Sequence, residues 1–279
     1  INDASLIYTK DTSAALGFGY RCGFLGLLHL DVVQERLSRE FDLSLVLSAP
    51  SVMYLVTVED GKEVEIDNPS YWPDPSTIRG VKEPYIKASI LVPERFMGQV
   101  MELCRDHRAA ALSMNYLAVG RVEVISEMPL GEVLYDFNDR LKTLTRGYGS
   151  FDYEALDMRA SDIVKVDILV NKERVDALAY LVHAEKARPR ALHYCEQLAE
   201  AIPRQQFKIP IQGAIGGKII ARSTINAFRK DVTAKCYGGD ISRKRKLLEK
   251  QKKGKARMKL VGSVEIPQEA FVAVLRRDE

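Results

Sequence analysis

"YIKASILVPERFMGQVMELC", residues 85–104, changes its hydrophobic period partway along. YIKASILV is an apolar run of strand length, Pro93 suits a first helical position, and Phe96, Val100, Leu103 and Cys104 then recur at helical spacing. Two strand-like runs follow within residues 109–129, AAALSMNYL and RVEVISEM, joined at Gly120. Val133, Leu134, Phe137, Leu141 and Leu144 line one face of a second helix, RGYG ends it, and FDYEALDM returns as a strand. The order β-α-β-β-α-β is the split βαβ, or ferredoxin-like, pattern. It predicts a domain over 81–162, with segments 93–107 and 131–145 helical and on one face of the sheet.

Outward from this unit the chain stays α+β. SLIYTK and DLSLVLSAPSVMYLVTV read as strands, the second running into a hairpin signal at Asp60-Gly61, and Leu27, Leu28, Val33, Leu37 and Phe41 between them mark a helix. NPSYWPDPSTIRG (68–80), rich in Pro, Gly and Ser, reads as a linker that closes a first region at residue 80. A third region, 163–279, opens with the strand pair IVKVDILV and RVDALAYLV. A helix near 190–201, short strands, and a helix capped by Ser223 or Thr224 are expected to follow.

The 279 residues are 46% apolar and 28% charged, and no uncharged apolar run approaches the roughly 18 residues of a membrane-spanning helix. Beginning at Ile1 without a signal sequence, the chain reads as an excised fragment. Cys22, Cys104, Cys195 and Cys236 form no C-x-x-C pair, which suits a reducing, cytoplasmic setting.

Charge is distributed unevenly. From residue 201 onward 19 Lys or Arg stand against 7 Asp or Glu, and before it 22 stand against 31. Within SRKRKLLEKQKKGKARMK (242–259) Glu249 is the sole acid. Such asymmetry points to a polyanionic partner, nucleic acid or an anionic membrane surface. A membrane-surface helix should carry aromatic or leucine residues opposite its charges, and this run has no aromatic, so RNA is the leading partner and peripheral attachment to an anionic lipid surface the alternative. With few apolar groups to bury and Gly254 interrupting it, the run is expected to be a flexible basic loop that orders on RNA. Arg243, Lys244, Arg245, Lys246, Lys252, Lys253, Lys255, Arg257 and Lys259 are the expected phosphate contacts, and Gly238-Gly239 would let the backbone turn toward the RNA.

Other motifs are weak. GAIGGKII (213–220) lacks the Gly and hydroxyl of a P-loop, having Gln212 and Ile219 at those places. GFGYRCG (17–23) misses the dinucleotide spacing, so its glycines are expected at tight turns or close approaches. Cys104 with His107, and His193 with Cys195, are ligand pairs without a second pair nearby. No catalytic residue, metal ligand or cofactor is therefore assigned to this chain.

GFGYRCGFLGLLHLDVVQERLSREF (17–41) resembles the third domain of translational GTPases, with a G-x-L-H-L-[DE] element at Gly26, Leu28, His29, Leu30 and Asp31. Residues 202–259 together with VEIPQEAF (264–271) more specifically resemble the elongation factor 4, or LepA, family. The resemblance implies a partial third domain at 1–80, a domain like the fifth of elongation factor G at 81–162, and a family-specific basic C-terminal domain at 163–279. HAEKARPRALHYC (183–195) is less like the family, so no RNA contact is carried onto it. The implied protein is a monomeric, cytoplasmic, ribosome- and tRNA-binding GTPase acting on the translocation state and fidelity of the ribosome, by backward translocation, with peripheral association at the cytoplasmic face of the inner membrane as the alternative setting. GTP and Mg²⁺ would belong to an N-terminal domain missing here.

Overall fold

The structure, a computed structural model, describes residues 3–13, 17–25, 27–43, 45–47, 51–118, 120–134, 136–228, 241–261, 264 and 266–274. The chain divides into one unit of residues 1–48, 166–179 and 186–278 and another of 49–165 and 180–185. In the first unit β1 (Ile7–Ser13) and β2 (Gly17–Gly23) pair antiparallel, with Ile7 opposite Gly23 and Ser13 opposite Gly17. GFGYRCG is thus a strand and not a set of turns, its Tyr20 meeting Tyr8 edge-on at 5.8 Å. The helix α1 (Leu27–Phe41) lies where the apolar spacing put it. His29 accepts from the Leu25 amide at Nδ1 and lies 2.9 Å from Asp3 through Nε2, which ties the helix start to the segment before β1.

The second unit begins with the hairpin of β3 (Tyr54–Val58) and β4 (Glu63–Ile66), turning at Asp60-Gly61 as expected. Among the described residues from 42 to 53 none is in a strand, so the long strand expected there is confined to its last part. The stretch read as a linker, 68–80, is built into this unit. Asn68 and Asp74 each cap a 3-10 turn by accepting from the amide two residues on, at 2.9 Å, with Pro69 and Pro75 in the first position of each turn. Trp72 packs beside Tyr54 against a cluster of Val52, Val56, Ile66, Val81, Ile163 and Leu181. Through these two turns the chain passes from β4 to the next strand of the same sheet.

That strand, β5 (Ile78–Pro93), leads through a 3-10 turn into α2 (Met97–Asp106), then β6 (Ala110–Ala118), β7 (Arg121–Pro129), the short α3 (Leu130–Val133), α4 (Phe137–Leu144) and β8 (Ser150–Ala160). The spatial order β8-β5-β7-β6, every neighbour antiparallel, is the ferredoxin-like arrangement, and β3 extends it beside the first part of β5. Alternate residues Ile86, Ala88, Ile90 and Val92 of β5 and Val122, Val124 and Met128 of β7 share one core with Val100, Leu103 and Cys104 of α2 and Phe137 and Leu141 of α4. Both helices therefore lie on the same face, as the two periodicities predicted. Below that core Arg108 donates to the buried Glu83 at 2.6 Å and to Ser161 at 3.1 Å, joining the end of α2 to β5 and the end of β8.

After it come β9 (Ile163–Val170), β10 (Glu173–Arg174), β11 (Tyr180–His183), α5 (Ala184–Ala201), β12 (Ile209–Ile215), β13 (Lys218–Ile225), α6 (Ile241–Val261) and α7 (Gln268–Ala273). RVDALAYLV is not one strand: a 3-10 turn at Asp176–Leu178 separates β10 from β11. α5 starts at Ala184, earlier than expected, and carries Pro189 inside it. In the first unit β10, β9, β12 and β13 form an antiparallel sheet, and α5 lies close against β12. A Cβ on Gly213 would stand 2.8 Å from the Ala191 Cβ, so this crossing requires glycine. Ser223 and Thr224 cap no helix: they lie within β13, opposite Ile211 and Pro210, because antiparallel pairing with β12 takes up this segment.

Candidate nucleic-acid interface

The basic run is helical. Ile241–Val261 forms one α-helix, which replaces the loop expected from its composition. Lys, Arg, Leu, Gln and Glu are all strong helix formers whose propensity needs no burial, and Gly254 costs only about 1 kcal/mol against alanine. Scarcity of apolar groups excludes a packed stripe, not a helix. Arg243, Arg245, Lys246, Lys250, Lys252 and Lys253 are exposed. Lys244, Leu247 and Gln251 are half-buried, and their i, i+3, i+7 spacing makes a single narrow covered stripe.

Lys244 is thereby set apart from the other expected phosphate contacts, while Lys250, which the expected set omitted, joins the exposed cations. Helical periodicity was the missing signal: at 100° per residue Lys250 falls between Arg243 and Lys246. Lys255, Arg257 and Lys259 continue the helical backbone, but their side chains lie outside the described residues, as do Gly238 and Gly239 entirely. Glu249 stands three or four residues from Arg245, Lys246, Lys252 and Lys253, so one carboxylate offsets four neighbouring cations. Lys246 and Lys250 are a like-charge i,i+4 pair, and no acid occupies the first turn. This helix is electrostatically unfavourable by itself and gains from an anionic surface along it.

The remaining motifs resolve into structural roles. GAIGGKII is the β12–β13 hairpin, Gly216 and Gly217 at its tip with φ of 53° and 86°, the pair of left-handed residues a two-residue turn of the primed type demands. Cys104 is buried in the ferredoxin-like core, which pushes its thiol from 9.0 up to about 12. His107, also buried, contacts the Leu103 carbonyl at 2.7 Å through Nδ1 and Asp136 at 3.4 Å through Nε2, closing the end of α2. His193 and Cys195 are two apart on α5 and so point in different directions. Burial raises the Cys195 thiol to about 11, against amide hydrogen bonds from Ser223 and Gly213 that lower it.

Two family profiles divide the chain near the end of the ferredoxin-like region. Elongation factor G C-terminus matches residues 80–169, and GTP-binding protein LepA C-terminus matches residues 170–276. Among curated proteins the chain is 72% identical over 279 residues to Elongation factor 4 2 of Rhodopirellula baltica, covering 100% of this chain and 47% of that protein. Elongation factor 4 of Syntrophobacter fumaroxidans is 66% identical over 278 residues, 46% of its length, and that of Treponema denticola 59% identical over 279 residues, again 46%. The chain spans about half the length of the curated relatives it matches. The two profiles together match residues 80–276 and the identity runs over the whole chain, so the chain is similar along its full length to the C-terminal part of elongation factor 4 (LepA) proteins.

Proposed function

We propose that this chain is the ribosome- and tRNA-binding part of its translation factor, and that α6 supplies a phosphate-contacting element of it. The observation that carries the reading is the density of exposed cations on α6 from Arg243 to Lys253, tempered by one acid. Cations without interleaved aromatics contact backbone phosphates and leave sequence unread, which suits structured RNA. GTP and Mg²⁺ would be handled by a domain outside these 279 residues, and this chain acts as binding machinery for a ribosome-dependent GTPase that adjusts translocation state and fidelity in the cytoplasm. Among the described residues no helix is long and apolar enough to cross a membrane.

Co-sedimentation with ribosomes, run beside flotation with vesicles of anionic and neutral lipid, tests the reading. Ribosome binding that falls when Lys250, Lys252 and Lys253 are changed together to Gln is the expected result. Flotation with anionic vesicles and no co-sedimentation would replace RNA by a membrane surface.

A further inference from the structure

The ferredoxin-like unit carries a second cluster of cations, at the end of the sheet where β5 leaves for α2. The Glu94 amide donates to the Gly120 carbonyl at 3.0 Å, Pro93 pairs with Arg121, and Leu91 pairs with Ser150. These contacts bring three connections to one end: the turn at 93–97, the β6–β7 turn and the 145–149 loop after α4. They bear Arg95, Arg121 and Arg146, all exposed, with Glu94 the one acid among them. Arg79, Arg108, Arg140 and Arg159 of the same unit each pair with a carboxylate, whereas Arg95, Arg121 and Arg146 have no carboxylate partner among the described residues.

An aromatic ring completes the cluster. The Arg95 guanidinium lies 4.7 Å from the Phe96 ring centre and 5.6 Å from that of Tyr148, yet Tyr148 remains 64% exposed. Tyr148 is held by its backbone: its amide donates to the Thr145 carbonyl at 3.1 Å, and the next amide, of Gly149, donates to the Thr145 hydroxyl at 2.8 Å. Thr145 is itself fully buried and donates to the Leu141 carbonyl at 2.7 Å. A Cβ at position 149 would meet the Thr145 Oγ1 at 2.8 Å, so the loop has little room to rearrange.

An exposed ring on a fixed loop, backed by a guanidinium and flanked by exposed arginines, has the elements for binding an unstacked nucleobase with its phosphates. We infer that Tyr148 is a stacking platform for a base of single-stranded or loop RNA, with Arg95, Arg121 and Arg146 holding the adjoining phosphates. The site differs from α6 in kind, since α6 has charge and no ring, and its geometry does not depend on α6 binding anything.

The test uses the full chain and a hairpin RNA with 2-aminopurine in its loop. Binding should quench the fluorophore; Tyr148→Ala should abolish the quenching and weaken binding roughly 5- to 150-fold, the range for losing one stacked base. Tyr148→Phe should retain both, and the salt dependence of Tyr148→Ala should match that of the parent. Arg121→Gln and Arg146→Gln should each reduce the slope of log K against log salt by roughly 0.7 to 0.9. Repeating the series with Lys250, Lys252 and Lys253 changed to Gln separates the two sites. Quenching unaffected by Tyr148→Ala, in a variant whose thermal unfolding matches the parent, would overturn the inference and leave the reading of α6 standing. Loss of affinity through the α6 changes alone would likewise confine RNA binding to that helix.

Discussion

In the ferredoxin-like unit, strands and helices are joined through side chains that are almost wholly withdrawn from water, Phe137, Leu141, Val100 and Ile90 among them. In α6, by contrast, most described side chains from Ile241 to Lys253 are exposed, and the helix rests on residue propensity and one narrow stripe. The first region is specified by what it buries and the second by what it displays. Burial is worth about 1.5 to 3 kcal/mol for a large apolar side chain, whereas helix propensities differ by less than about 1 kcal/mol per residue, so the two regions should respond to mutation on different scales.

The sharpest break between them is expected from a truncation in each. Phe137→Ala should cost about 3 to 5 kcal/mol in urea unfolding, while Leu248→Ala on α6 should stay within about 0.5 kcal/mol. Equal losses would show that α6 is packed as the core is. Removing one partner of the Arg108–Glu83 pair comes next: Arg108→Ala strands a buried carboxylate and should cost about 3 kcal/mol, most of it regained when Glu83 is also changed to Leu. Gly213→Val should lose about 1 to 3 kcal/mol by forcing α5 away from β12, which a lowered urea midpoint would reveal.

A smaller effect separates the regions by pH. The thiol of Cys104 is raised by burial from 9.0 to about 12, so its neutral form is favoured in the folded state. That contribution is complete below the ordinary thiol range and is lost as pH climbs from about 9 toward 12, because the unfolded chain ionises first. Unfolding measured at pH 8 and at pH 10 should therefore show a fall in stability that Cys104→Ala reduces. Smallest of all, changing Lys250, Lys252 and Lys253 to Gln should move the urea midpoint by no more than about 0.5 kcal/mol allows.

How far each region could be read in advance follows the same division. Period-2 runs at 85–92 and 121–128 and helical spacing through Phe96–Cys104 and Phe137–Leu144 are direct records of burial, and they gave the order and facing of that unit. Where burial is weak, other physics decided. In GFGYRCG the glycines sit in a strand because β1 pairs with it, and pairing leaves no trace in a single segment. Asn68 and Asp74 made two ordered turns of what read as a linker, since Trp72 had a core to enter. Ser223 and Thr224, good capping residues, were claimed by β12. In α6 the cations were legible as charge, but their helical form was not, because helix propensity acts without the apolar burial that leaves a period in the sequence. Only a helix places Lys250 with Arg243 and Lys246. The platform around Tyr148 is assembled from three separate connections, so no local pattern announces it.

The most direct test of α6 as a phosphate-contacting helix is the affinity of the full chain for tRNA measured across salt concentration, with and without Lys250, Lys252 and Lys253 changed to Gln. If the six exposed cations from Arg243 to Lys253 each neutralise a phosphate, α6 should contribute roughly −4 to −5 to the slope of log K against log salt, and the triple change should bring the slope closer to zero by roughly 2 to 3. A slope and affinity unaltered by the triple change would contradict the account.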